Sequence, residues 1–165
     1  MPNDIEPGTI IFIDANIFLY KIFDHWRYAE SCGNLLKDVN RGRYYAVSSV
    51  FVCNEVFHRA MIAEVVEKFK IDPKRAVRYL KENPRAIGDL EAAWSAIENI
   101  EQIENLKIAG VGVEVMRLSL EHSRIYCLLS NDAVHLATMQ KEGAKTLASN
   151  DRDFERADWV KLWKP

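Results

Sequence analysis

The sequence predicts an α/β fold with a central, mainly parallel sheet of about five short strands and helices on both faces. Short apolar runs rich in β-branched residues alternate along the chain with longer segments whose apolar residues recur at helical spacing. Such alternation is typical of parallel sheets, because each parallel strand needs a crossover segment to bring the chain back. With 165 residues, of which 48% are apolar, a single domain over residues 1–165 is expected.

The first half of the chain contains two predicted strands. Residues 9–13 form a nearly continuous apolar run, which indicates a buried strand. Helices are predicted at residues 17–23 and 27–41, and a second strand follows at residues 44–48. Ser48 and Ser49 are candidate caps for a long helix that runs from residue 50 towards residue 70. Pro73, which suits the first turn of a helix, begins another one that continues to residue 81.

The second half contains three more predicted strands. Residues 84–106 are predicted to be helical, with a break near Gly88. Gly110 and Gly112 predict a turn into a third strand at residues 113–116, which a helix at residues 118–126 follows. Ser130 and Asn131 are candidate caps for a helix at residues 132–142, and Gly143 ends it. The last two strands are predicted at residues 146–149 and 160–163.

Composition and charge favour a protein of the reducing cytoplasm. The net charge is −2, which argues mildly against tight, metal-free binding of nucleic acid. The chain has three cysteines and no Cys-x-x-Cys pair, so we expect free, apolar thiols rather than a disulfide or a zinc site. The first residues, Met1-Pro2-Asn3-Asp4, lack the basic charge of a signal peptide. No membrane span is expected, because Asp14 and Lys21 interrupt the first apolar run.

Four acidic residues lie where predicted elements begin or end. Asp14 ends the first strand and Asp151 follows the fourth, while Glu55 and Asp132 lie in the first turns of helices. Ligands of open parallel sheets bind beyond the carboxyl ends of the strands, so this topology can bring all four acids to one edge. Clustered carboxylates are costly unless a cation balances them, and their hard oxygens suit Mg²⁺ or Mn²⁺. Such a site would serve metal-assisted cleavage of phosphodiesters.

Each acid also has a simpler structural explanation. Asp14 can cap the next helix, and Glu55 can pair with Arg59 one turn later. Asp132 is favoured by the helix dipole in a first turn, and the polar residues 149–153 can form an ordinary turn. Taken one at a time, these acids therefore do not define a site.

Aromatic residues are concentrated in the segment after the first strand. Core packing is favoured for most of them, and stacking on nucleic-acid bases is the alternative. The residues are Phe18, Tyr20, Phe23 and Trp26, and the same expectation applies to Trp94, Trp159 and Trp163 elsewhere in the chain.

Four segments of the chain contain the acids in specific surroundings. They are Ile11-Phe12-Ile13-Asp14-Ala15-Asn16, Ser48-Ser49-Val50 with Asn54-Glu55-Val56, Ser130-Asn131-Asp132-Ala133-Val134-His135-Leu136-Ala137, and Ser149-Asn150-Asp151-Arg152-Asp153-Phe154. In this order they resemble the PIN-domain ribonucleases, most of all the VapC-type toxins of prokaryotic toxin–antitoxin pairs. The resemblance extends from the first strand to residues 160–163, whereas residues 71–108 carry no family signature. The departures are mild, because Ala15 and Ser149 replace Thr in two motifs whose other polar side chains are kept.

The resemblance implies a Rossmann-like PIN domain that acts as a Mg²⁺- or Mn²⁺-dependent endoribonuclease. A metal-activated water would cleave RNA and leave a 5′-phosphate and a 3′-hydroxyl. The implied site consists of the catalytic and metal-binding acids Asp14, Glu55, Asp132 and Asp151, the further metal ligand Asp153, and the supporting residues Asn16 and Ser149. A cognate VapB-like antitoxin, with an Arg placed among the acids, and a homodimer are also implied.

Two other functions are compatible with parts of this pattern. A PIN-fold module could bind RNA or a protein without catalysis, and absence of metal binding would favour it. A haloacid-dehalogenase-type phosphatase also begins with a strand that ends in Asp, but it requires a second Asp where this chain has Asn16. A dinucleotide-binding protein is disfavoured, because no Gly-x-Gly-x-x-Gly motif follows the first strand.

Overall fold

In the computed structural model, residues 5–165 are described, and their five strands form one parallel sheet in the order β3-β2-β1-β4-β5. The strands are β1 (Ile10–Ile13), β2 (Tyr45–Ser49), β3 (Leu106–Ala109), β4 (Thr146–Ala148) and β5 (Lys161–Trp163). The predicted α/β class with a five-stranded parallel sheet is confirmed. The expectation about a signal peptide concerns residues 1–4, which lie outside the described residues.

Eight α-helices surround the sheet within residues 5–165. They are α1 (Ala15–Ile22), α2 (Ala29–Asn40), α3 (Val50–Phe69), α4 (Ala76–Glu82), α5 (Arg85–Gly88), α6 (Glu91–Glu101), α7 (Val113–Tyr126) and α8 (Ser130–Glu142). Ser49 caps α3 as predicted, since its hydroxyl accepts a hydrogen bond from the Val52 amide at 3.2 Å. Over the described chain, none of these helices has the length and apolar character needed to cross a membrane.

The third strand lies earlier than the sequence predicts. Residues 113–116 belong to α7, whereas β3 occupies residues 106–109, of which residue 106 was expected to end a helix and the others had no predicted element. Asn105 has a left-handed φ of +61° and separates β3 from the helix before it. Its carbonyl accepts a hydrogen bond from the Ala46 amide at 2.8 Å, and β3 then pairs with β2. Pairing with a distant strand, which local periodicity cannot reveal, therefore decides the conformation of this segment.

The predicted caps of α8 are also wrong. This helix begins at Ser130, and its N-cap is Leu129, which has no polar side chain to offer. Ser130 and Asn131 are therefore helical residues. Asp132 nevertheless remains in the first turn of the helix, as the sequence suggests.

Buried apolar residues form two clusters that α3 connects. The larger cluster surrounds the sheet and includes Val52 and Val56 from the first turns of α3. The smaller cluster lies between the second half of α3 and helices α4–α6, and includes Val65 and Leu90. Helix α3 thus contributes buried residues to both clusters.

The sheet order places the acids at one edge. Strand β1 is central, and its last residue, Ile13, is in register with Ala148 of β4. On the other side, the Ser48 hydroxyl of β2 donates a hydrogen bond to the Ile13 carbonyl at 2.9 Å. The carboxyl ends of β1, β2 and β4 are therefore adjacent, which is where ligands of parallel sheets bind.

Candidate active site

A cleft of about 430 Å³ opens at this carboxyl edge. Asp14, Glu55, Asp132 and Asp151 all line it, and Asn16 lines it with them; we call it the acidic cleft. A larger cavity of about 680 Å³ lies at the amino ends of β1, β4 and β5, but Glu6 is the acid among its described lining residues. The clustered carboxylates, and not the cavity volume, therefore indicate where chemistry can occur.

Asp14 is the best-fixed of the four acids. Its side chain accepts hydrogen bonds from the Ala15 amide at 2.6 Å, from the Ser149 hydroxyl at 2.6 Å and from the Asn16 amide group. The residue is only 7% exposed. Burial raises the pKa of Asp14, and the nearby Asp151 adds to the rise, while hydrogen bonds from Ser149, Ala15 and Asn16 oppose it. Asp14 does cap α1, so its structural role and a site role coexist.

Ser149 and Asn16 connect the two strand ends. The buried Ser149 hydroxyl accepts hydrogen bonds from the Asn16 side chain and the Asp151 amide, both at 3.0 Å. The side-chain oxygen of Asn16 accepts a hydrogen bond from the backbone amide of Asn150 at 3.2 Å. This network holds Asp14 and the loop of Asp151 in a fixed relation.

Asp132 shows how strongly the acids repel one another. Its pKa is raised to about 6, chiefly by burial and then by the charges of Asp151, Asp14, Asp153 and Glu55. Each charged neighbour disfavours ionisation of Asp132, which is the signature of several carboxylates in one place. Asp132 therefore lies among several neighbouring negative charges.

Glu55 reaches the cleft from α3. The Nε atom of Arg59 lies 4.0 Å from Oε1 of Glu55, and both side chains are partly exposed. An exposed pair at this distance contributes little to stability. The alternative explanation of Glu55 as half of a helical ion pair is thus compatible with the structure, but the pair itself lies at the cleft, which Arg59 also lines.

Asp153 is placed differently from the other acids. Its carboxylate accepts a hydrogen bond from Nη2 of Arg156 at 2.7 Å, and the same guanidinium donates to the Cys127 carbonyl at 2.7 Å. Asp153 is not one of the described residues that line the acidic cleft. It influences the cleft through its charge on Asp132 and through its amide, which donates to Asp151 at 2.8 Å.

His135 is a cleft residue that the acidic pattern alone misses. It is 2% exposed, lies between the rings of Phe12 and Phe154, and places Nε2 3.8 Å from Oδ1 of Asp14. Burial lowers the pKa of His135 to about 4, so the imidazole is neutral at pH 7. Its position one turn after Asp132 in an otherwise apolar helix predicts a packed residue close to the site, and the structure confirms this.

The donor set suits a hard divalent cation by its chemistry. Carboxylate oxygens are the preferred ligands of Mg²⁺ and Mn²⁺, and the crowded charge around Asp132 would be relieved by a cation. Across residues 5–165, however, no three Asp, Glu, His or Cys side chains already converge as a ligand cage.

Two groups with shifted pKa values, the half-buried Asp132 and the buried His135, should give the metal-free protein opposing responses to pH. Asp132 has a folded pKa above its ordinary value of 3.8, so between pH 4 and 6 the folded state binds more protons and stability falls as pH rises. His135 has a folded pKa below its ordinary value of 6.5, so between pH 4 and 6.5 the unfolded state binds more protons and stability rises with pH. Asp132→Asn removes the first effect and should make the rise with pH steeper.

Denaturant unfolding at pH 4.5, 5.5 and 6.5 in EDTA measures this change. Asp158→Asn is the matched control, because Asp158 is an exposed acid three residues before β5. Equal pH slopes for Asp132→Asn and the wild type would contradict the assignment of these two groups.

The parallel sheet and the four acids at its carboxyl edge define the class, a PIN-domain protein. Residues 11–160 match the PIN domain family model, and the chain therefore belongs to this family. The resemblance stated from the sequence is thereby confirmed.

Known relatives are similar along nearly their whole length. The chain is 28% identical to Ribonuclease VapC6 of Methanocaldococcus jannaschii over 93% of this chain and 96% of that protein. The crystal structure of VapBC2 from Rickettsia felis, bound to a promoter DNA fragment, has a TM-score of 0.62 and 18% identity, with 94% and 98% of the two chains covered. Mycobacterium tuberculosis VapC20, described as a sarcin–ricin loop cleaving toxin, has a TM-score of 0.61 and 16% identity, with 93% and 98% covered. These two structures support the fold.

Proposed function

We propose that this protein is a divalent-metal-dependent endoribonuclease and the toxin of a toxin–antitoxin pair. The observation that carries the proposal is the acidic cleft, in which Asp14, Glu55, Asp132 and Asp151 come together at the carboxyl edge of a PIN-domain sheet. Relatives that bear the name ribonuclease support it. Membership of the PIN family removes the phosphatase alternative.

Each site residue has a role that follows from its contacts. Asp14, Glu55, Asp132 and Asp151 would hold Mg²⁺ or Mn²⁺, which supplies activation of water and neutralises charge on the leaving oxygen. Ser149 and Asn16 orient Asp14 through their hydrogen bonds. His135, neutral and buried, packs behind Asp14 and keeps water from that side.

We propose that Asp153 is a further metal ligand only when its carboxylate is not paired with Arg156. Its carboxylate is held by Arg156, so it would have to leave that guanidinium to reach an ion. In the paired arrangement it contributes negative charge near Asp132 instead.

A PIN-fold module that binds RNA or protein without catalysis is the second candidate. The observation that favours it is that, among residues 5–165, no three acids, histidines or cysteines are already arranged as a ligand cage. Titration of the protein with Mn²⁺ in a calorimeter separates the two candidates, because the module has no reason to bind the ion at the cleft.

Cleavage of labelled single-stranded RNA by the purified protein tests the enzymatic function. We expect cutting with Mg²⁺ or Mn²⁺ and none with EDTA, and the products should carry a 5′-phosphate. Cutting that persists unchanged in EDTA would refute the metal-dependent mechanism. An absence of both cutting and Mn²⁺ binding would leave the non-catalytic module as the function.

We further propose two protein partners, a homodimer mate and a VapB-like antitoxin, in the cytoplasm. Helix α7 exposes an apolar stripe of Val113, Met116 and Leu120, whose covering by a second copy would remove it from water. Light scattering should then give a mass near twice 19.0 kDa.

The acidic cleft suits an antitoxin Arg, whose guanidinium pairs well with carboxylates, and the antitoxin should inhibit cleavage.

A further inference from the structure

A group of stacked rings stands beside the acidic cleft. The aromatic platform, as we call it, consists of Tyr20, Phe23, His25, Trp26 and Tyr28. The His25 ring is stacked with Trp26 and with Tyr28, at centroid distances of 6.1 and 4.9 Å and interplanar angles of 19° and 17°. Tyr20 contacts His25 and Tyr28 at 4.8 and 4.9 Å. Ring contacts therefore join Tyr20, His25, Trp26 and Tyr28 into one group, and Phe23 lies beside them as a lining residue of the acidic cleft.

This surface is open to solvent at two residues, although core packing is confirmed for most of the aromatic residues considered, among them Tyr20 and Trp163. Trp26 is 88% exposed and Phe23 is 47% exposed, whereas Phe18 is buried as expected. A single exposed aromatic residue needs no explanation. A largely exposed Trp26 on a stacked group, with the partly exposed Phe23 lining the adjoining candidate active site, does need one.

The platform is continuous with the acidic cleft. Tyr20, Phe23 and His25 line the same cleft as the four acids. Asn150 links the two parts, because its side chain donates to the Tyr20 hydroxyl at 3.0 Å and its amide donates to Asn16 at 3.2 Å. A molecule that occupies the cleft therefore extends naturally onto the rings.

The backbone holds the platform in a defined shape. Asp24 has a left-handed φ of +48°, which turns the chain after α1. The His25 amide then bonds the Tyr20 carbonyl at 2.9 Å, and the Arg27 amide donates to Nδ1 of His25 at 3.3 Å. The Cζ atom of the Arg27 guanidinium lies 5.3 Å from the centroid of the Tyr28 ring, so a positive charge adjoins the aromatic platform.

We propose that the aromatic platform stacks against unpaired bases of an RNA strand whose backbone passes through the acidic cleft. This inference rests on the proposed ribonuclease function. Every nucleobase offers a flat π face, so stacked aromatic side chains bind single strands with little regard to sequence. In a duplex those faces are already covered by neighbouring bases, so the platform selects unpaired nucleotides close to the cleavage site.

Binding to short fluorescent RNA, followed by anisotropy in Mg²⁺, tests the proposal. An Asp132→Asn background prevents cutting during the measurement. Adding Trp26→Ala should weaken binding of the intact strand roughly tenfold, and Trp26→Phe should retain most of the affinity. Trp94→Ala is the matched control and should change nothing, because this half-exposed ring packs on Phe57 in the smaller apolar cluster.

A second strand, with one abasic nucleotide moved stepwise through the sequence, isolates the stacking contact. At the contacted position, removal of the base should weaken binding to the wild-type platform but not to the Trp26→Ala variant. This loss of additivity identifies the pair in contact. Equal effects of base removal in both proteins at every position would overturn the proposal.

The outcomes also separate this inference from the function on which it rests. If the wild type cleaves RNA in the presence of metal but Trp26→Ala and Phe23→Ala bind RNA as tightly as the wild type, the proposed stacking on RNA bases is wrong and the ribonuclease function stands. The exposed rings would then be a contact surface for a protein partner. A wild type that neither cuts nor binds RNA would overturn the ribonuclease and the platform together.

Discussion

Asp132→Asn should abolish metal-dependent RNA cleavage, with a loss of kcat/KM on the order of a thousandfold or more, and should stabilise the metal-free protein. The neutral amide removes one metal ligand, and it also removes the burial of a charge and the repulsion by neighbouring acids, which together raise the pKa of Asp132 to about 6. Because Asp132 is half-buried, solvent screening reduces the stability gain to about 1 kcal/mol, or roughly 2–4 °C in Tm.

The measurement pairs RNA cleavage with thermal unfolding in EDTA and in Mn²⁺. We expect Mn²⁺ to raise the Tm of the wild type and to have much less effect on the variant. Ser149→Ala, which removes a hydrogen bond to Asp14, should lose roughly 10–100-fold in activity. Ser119→Ala is the matched control, since this buried hydroxyl donates to the Met116 carbonyl within α7. If the Asp132→Asn variant cleaves RNA at the wild-type rate, Asp132 is not a metal ligand of the active site.

Leu90→Ala should cost about 2–5 kcal/mol of unfolding free energy, because it leaves a cavity in the smaller apolar cluster. Leu90 is fully buried there. We propose that residues 1–165 form a single cooperative domain, because α3 supplies Val56 to one cluster and Val65 to the other. A single unfolding transition should therefore shift as a whole.

Denaturant unfolding followed by both tryptophan fluorescence and circular dichroism measures this effect. The tryptophans report on both clusters, since Trp94 lies near the smaller one and Trp163 belongs to the larger one. Val77→Ala, at a 44% exposed position of α4, should cost far less. Two separate transitions, of which Leu90→Ala moves one, would show that the clusters unfold independently and would refute the single domain.

Much of the fold and the candidate site follows from local patterns. The apolar run before Asp14 and the helix after Ser49 are determined by residues next to each other in the chain, which is why their positions agree with the structure to within a few residues. The acids were recognised for the same reason, since each lies in a short motif. The parallel topology then explains how Asp14 and Asp151 reach one edge.

By itself, then, the sequence determined the α/β class, the family and the identity of the four cleft acids. The tertiary structure alone decided that residues 106–109 pair with β2, that Arg156 holds Asp153, and that Nε2 of His135 lies 3.8 Å from Oδ1 of Asp14. It also decided that Trp26 faces solvent on a stacked platform. Local periodicity records which residues can be strands, helices or core, whereas these outcomes depend on partners far away in the chain, whose positions only the folded arrangement supplies.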